Sequence, residues 1–76
     1  MNKERRKALE KIASELENLH SEIEGIKDDE DCYRDEMPEN LQNSSRYEES
    51  EAASDSLDSA LDSLQEAIDY IGEATC

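Results

Sequence analysis

Glu17-Asn18-Leu19-His20 reads Glu-x-x-His, a spacing that sets a carboxylate and an imidazole on one helix face in di-iron carboxylate bundles. Paired chains would supply two copies. Both residues fall beside the apolar seam described below, and the second half of the chain offers no core carboxylate at that level. His20 is therefore expected to flank an interface rather than hold a metal. Asp28-Asp29-Glu30-Asp31 carries acid enough for calcium but lacks the glycine and spacing of an EF-hand loop. There is no phosphate loop, no cysteine pair at metal-ligand spacing and no nucleophile beside a base. No catalytic residue, cofactor or metal site is assigned, and the chain is not read as an enzyme.

Charge is the stronger signal. The chain of 76 residues has a net charge of −14, with 39% charged residues and 34% apolar ones. Phosphates and anionic lipid would repel it, so the expected partner is a basic protein surface, with no direct nucleic acid and no membrane contact. From Asp28 to Glu51 ten acids face two bases. Further along, Asp55, Asp58, Asp62, Glu66, Asp69 and Glu73 step three or four residues apart, which repeats charge every ~5–6 Å along a helix. Such an acidic rod could compete for a surface built to hold DNA. The plainer reading is a solvated helix face. We take Asp28, Asp29, Glu30, Asp31, Asp35, Glu36, Glu48, Glu51, Asp55, Asp58 and Asp62 as the candidate partner-binding acids. Five of the eight bases, Lys3, Arg5, Arg6, Lys7 and Lys11, lie in the first eleven residues. They are expected to pair with Glu66, Asp69 and Glu73 across a hairpin rather than form a nucleic-acid arm.

The elements that position these charges follow from periodicity. Leu9, Ile12, Leu16, Leu19, Ile23 and Ile26 step three and four in alternation, the a/d stripe of a coiled coil, and the phase continues through Glu30, Tyr33 and Met37. Gly25 lies off that stripe, so one helix is expected over about 3–35. A second stripe runs through Leu57, Leu61, Leu64, Ile68 and Ile71, flanked by Ala53, Ala60, Ala67 and Ala74 at seven-residue spacing. Pro38 breaks the first helix and starts a single turn, Pro38-Glu39-Asn40-Leu41. Ser45 with Glu48 matches a capping box, which starts a second helix near Ser45 and leaves a corner over 36–44.

A short corner implies an antiparallel hairpin. Pairing residues whose numbers add to 80 sets Leu9 on Ile71, Ile12 on Ile68, Leu16 on Leu64, Leu19 on Leu61 and Ile23 on Leu57. Towards the corner it sets Ile26 on Ser54, Glu30 on Ser50 and Tyr33 on Tyr47. One seam in so short a chain makes a small core. The expected architecture is a single all-α domain over 1–76, a long hairpin dimerising into a four-helix bundle, with Ala53, Ala60, Ala67 and Ala74 at the contact. Cys32 and Cys76 fall far apart in it and are expected to be free thiols. No apolar run approaches the ~20 residues of a membrane span, and the basic start lacks the apolar stretch of a signal peptide, so the chain reads as cytoplasmic.

Met-Pro-Glu-Asn-Leu-Gln at 37–42, then Ser44 and Arg46-Tyr47-Glu48, precede the alanine-spaced acidic helix. This pattern resembles a group of small acidic proteins of phages and mobile elements of Gram-positive bacteria, generally without assigned function. The likeness covers about the last forty residues closely and the first helix in pattern only. It implies a helical hairpin of phage type acting inside a bacterial host cell. It directs attention to Met37, Pro38, Asn40, Leu41, Arg46 and Tyr47 at the corner, whose plainer role is to build the turn. The functional expectation is an acidic protein-binding module, an inhibitor that occupies the nucleic-acid surface of a host or defence protein in the manner of a DNA mimic. The alternative is a structural or regulatory homo-oligomeric bundle without mimicry.

Overall fold

The computed structural model describes all residues 1–76 and contains two long α-helices packed antiparallel. Helix α1 runs Lys3–Asp35 and helix α2 runs Ser45–Ala74. The hairpin measures 59 × 15 × 13 Å. Asn2 caps α1 by accepting from the Arg5 amide at 2.8 Å. No positive φ interrupts either helix, so both glycines sit in ordinary helical backbone.

Proline acts at the corner as its chemistry requires. Pro38, with φ −59°, leaves the helix, and the Leu41 amide closes a single 3-10 turn on the Pro38 carbonyl at 2.9 Å. The second helix is capped one residue earlier than the capping box implied. Ser44, not Ser45, has extended backbone, and its hydroxyl accepts from the Tyr47 amide while donating to the Leu41 carbonyl. The 3-10 turn brings the Leu41 carbonyl to the Ser44 hydroxyl and so leaves Ser44, rather than its neighbour, in the extended conformation of a cap.

The seam of α2 follows its leucine stripe. Leu57, Leu61, Leu64, Ile68 and Ile71 are all half-buried or buried, and the same phase continues through Tyr47, Ser50 and Ser54. The seam of α1 does not follow its stripe. Leu9, Leu16, Ile23, Glu30 and Met37 are covered as expected, but the intervening positions are Ala13, His20, Lys27 and Arg34. Ile12, Leu19, Ile26 and Tyr33 are instead 43–61% exposed. Helix α1 is thus rotated about its axis relative to the expected seam, and His20 lies on the seam rather than off it.

The register moves with the rotation. Arg34 bonds Ser50 and Ser54, Asp31 accepts from Ser54, and Lys27 lies 3.5 Å from Asp58. Of these polar contacts, only Glu30–Ser50, at 3.1 Å, joins residues expected to face one another. The other contacts lie about one helical turn further along. Matching the covered positions in antiparallel order then sets Leu16 level with Ile68, Ile23 with Leu61, and Met37 with Tyr47. Hydroxyls explain the choice. Ser50 and Ser54 are 5% and 4% exposed; in the expected register Ser54 would lie against Ile26 without a partner and Ser50 would have Glu30 alone. Rotation brings in Arg34, Asp31 and Lys27, which supply them.

Candidate binding surfaces

The corner half of the seam is a polar network. Arg34 Nη1 donates to the Ser54 hydroxyl at 2.8 Å, the Ser50 carbonyl at 3.1 Å and the Ser50 hydroxyl at 3.2 Å. Its Nη2 donates to Asp31 Oδ1 at 2.9 Å. Each serine passes the bond on: Ser54 donates to Asp31 at 2.7 Å and Ser50 to Glu30 at 3.1 Å. Lys27 completes the set, 2.8 Å from Asp31 Oδ2. Hydrogen bonds from Lys27 first, then from Ser54 and Arg34, hold the Asp31 carboxyl far below the usual carboxylate range. The same contact raises Lys27, and Asp31 raises Arg34 against the cost of its withdrawal from water. Of the candidate acids, Glu30 and Asp31 are therefore committed to holding the two helices together. Arg34, Lys27 and Ser50 were missed as a unit by the sequence reading. Their signal was the row Ala13, His20, Lys27, Arg34, seven apart and opposite the serines.

The alternation of three and four in burial persists along both helices, so residues seven apart stay on one side of the hairpin. Contacts across the seam decide which rows share a side. Lys27 reaches Asp58, and Glu10 and Glu17 line one depression with Asp69 and Glu73. This side carries the row Glu10, Glu17, Glu24 of α1 and the acids of α2 other than Glu49, which stands in the row of Ser56, Ser63 and Tyr70. Asp28, Asp35, Glu48, Glu51, Asp55, Asp58 and Asp62 are all exposed, as are Asp29 and Glu36. Asp29 and Glu36 depart from the group: they continue the row Glu15, Glu22 at seven-residue steps, along the opposite edge of α1.

The other side is apolar. Tyr33 and Arg46 line the same cleft with Met37 and Leu41, about 350 Å³ in volume. Tyr33 ends the row Ile12, Leu19, Ile26, and Arg46 begins the row Ala53, Ala60, Ala67, Ala74. Both rows therefore face the same way, and all eight residues are exposed. At the corner Met37 is buried, Tyr47 half-buried, and Pro38, Asn40, Leu41 and Arg46 exposed.

The remaining expectations fall as follows. Glu17 is exposed, and His20 Nδ1 lies 2.7 Å from Glu24, with no group of three or more potential ligands gathered around a metal position. Cys32 and Cys76 are exposed free thiols. The basic first turns make no ion pair with Glu66, Asp69 or Glu73, and Lys3, Lys7 and Lys11 are exposed. No helix is long and apolar enough to cross a membrane. Compared with protein-family models, curated proteins and solved structures, the chain matches none.

Proposed function

We propose that this chain is an acidic protein-binding module that engages a basic protein surface through one side of its hairpin. The observation that carries the reading is the segregation of charge. Rows of exposed carboxylates from both helices lie together, while the bases nearest them, Lys27 and Arg34, are turned into the seam network. Apart from Asp58, 3.5 Å from Lys27, the exposed candidate acids make no ion pair, on a rod stiffened by two helices. A surface that binds nucleic acid has complementary charge, and occupying it as an inhibitor of a host or defence protein of a phage-bearing bacterium is the specific form we favour. The acid-lined helices would stand in for the phosphate backbone.

The test is capture from bacterial lysate by the full chain, with and without excess duplex DNA, followed by titration with salt. A captured nucleic-acid-binding protein that DNA displaces supports the reading. The complex should weaken steeply with salt. The combined variant Asp55→Asn, Asp58→Asn and Asp62→Asn should lose the partner while keeping its helicity, since none of the three is buried. Neutralising Glu30 and Asp31 is not an equivalent test, because both hold the hairpin together. Capture that survives the triple substitution, or that ignores DNA and salt, rules this function out.

A second reading has its own observation. The apolar side has no cover, only Met37, Leu61 and Ile68 among the hydrophobic residues are buried, and no side chain is fully enclosed. A 76-residue chain with so small a core gains most from pairing with itself. A homodimeric four-helix bundle, with the alanine row at its contact, is compatible with acid-mediated binding, because the two use opposite sides.

A further inference from the structure

We infer that two copies stack apolar side on apolar side with both corners at the same end, the large row of each copy lying on the alanine row of the other. The inference rests on the reading that the hairpin pairs with itself and adds the geometry of the pair. Ile12, Leu19, Ile26 and Tyr33 repeat every seven residues, as do the four alanines of α2. In an antiparallel hairpin the two rows run past one another in matching steps. Ile12 comes level with Ala74 and Leu19 with Ala67. Ile26 comes level with Ala60 and Tyr33 with Ala53, within about 3 Å of the register set by Arg34 and Ser50.

A two-fold axis along the hairpin moves each α1 over the α2 of the other copy without changing its height. Every large side chain then meets a small one, twice over, as an isologous contact requires. Large opposite small is the arrangement that lets layers interdigitate without voids.

The rims agree. Glu15, Glu22 and Asp29 border the large row, and the outer edge of α2 carries Tyr70, Ser63 and Ser56 at the corresponding levels. All six are exposed. In the stack each of these three acids meets a hydroxyl, and the next step towards the corner sets Glu36 level with Glu49. Turning one copy end for end would instead lay α1 on α1, large row on large row, with Glu22 against Glu22 and Glu15 against Asp29. The facing rows, Ile12 to Tyr33 against Ala74 to Ala53, run about 32 Å along a face 15 Å wide, a footprint on the order of 500 Å² for each copy. Corner lies beside corner, so the pair should tighten as salt screens two acidic corners, opposite to the complex with a basic partner.

Site-directed cross-linking tests this on the full chain carrying Cys32→Ser and Cys76→Ser, both exposed positions. Glu22→Cys and Ser63→Cys variants are prepared separately, then mixed and treated with a short bismaleimide. Cross-linking of the mixture, with neither variant cross-linking alone, is the expected result. Cross-linking of Glu22→Cys with itself means opposite ends and overturns the geometry, as does a dimer by light scattering that gives neither product. A monomer by light scattering overturns the self-pairing reading, whatever the gel shows. Leu19→Glu should weaken the dimer about 100-fold, roughly tenfold for each of its two copies. Its α-helical circular dichroism should persist, because Leu19 is 49% exposed in the single hairpin.

Discussion

At the scale of single residues, the hairpin is decided by two serines. Ser50 and Ser54 occupy seam positions that a sequence reading assigns to packing, yet each has to place a hydroxyl where water is scarce. Arg34 donates to both, and Asp31 and Glu30 accept from them, so every polar group in the layer has a partner. Asp31 receives bonds from Lys27, Ser54 and Arg34 at once, and its proton affinity is accordingly low. A depressed carboxyl stabilises the fold above the pKa of the unfolded chain, near 3.8, and that contribution is lost as pH falls below it. The raised Lys27 works in the opposite sense, contributing below 10.5 and losing its contribution as pH rises beyond it. Wild type should therefore exceed Asp31→Asn in urea midpoint by a constant margin from about pH 5 to pH 9. The margin should shrink towards pH 3. A margin unchanged in acid would remove Asp31 from the linkage.

At the scale of elements, the two helices were open to sequence reasoning and their facing sides were only half so. Helix α2 has one apolar residue at each seam position between Leu57 and Ile71, so its buried side admits a single solution. Helix α1 offers an apolar row and a largely polar one flanking a shared row, Leu9, Leu16 and Ile23. Periodicity chose Ile12, Leu19 and Ile26, whereas the fold uses Ala13, His20, Lys27 and Arg34. The information that settles this lies in the other helix, in the polar end of its seam, and a pattern read one helix at a time leaves it out. The acidic surface was partly legible for a related reason. Charge density names the acids, but only the rotation of α1 tells Asp28 from Asp31, one facing water and the other facing Arg34. The start of α2 shows the same dependence on context. Ser44 and Ser45 are equivalent cap formers in sequence, and the turn after Pro38 selects Ser44. Ser44→Ala should lower stability by about 1 kcal/mol, read as a fall in urea midpoint, and Ser45→Ala should be close to neutral. The reverse order would return the cap to Ser45.

At the scale of the whole molecule, the hairpin is a thin rod with chemically distinct sides, and its two proposed uses do not compete for surface. That separation sets what solution scattering should show. A single hairpin has a radius of gyration of 17.3 Å over its Cα atoms, nearly all of it from length. Packed helices lie 8–10 Å apart, so stacking a second hairpin alongside adds little to a size dominated by the 59 Å axis. Doubling the mass in this way raises the radius of gyration by only about 1 Å. Joining the same two rods end to end would raise it well beyond that, because the added mass would lie a rod's length away. Small-angle scattering with light scattering on one sample therefore distinguishes the arrangements. A mass twice that of the chain with a nearly unchanged radius fits side-on stacking, and a doubled mass with a greatly enlarged radius excludes it. The comparison should be repeated across salt. Each copy carries a net charge of −14, so the share of doubled mass should rise with ionic strength at constant radius. A share that fell with salt would mean that ion pairs hold the copies together, and the apolar rows would lose their role.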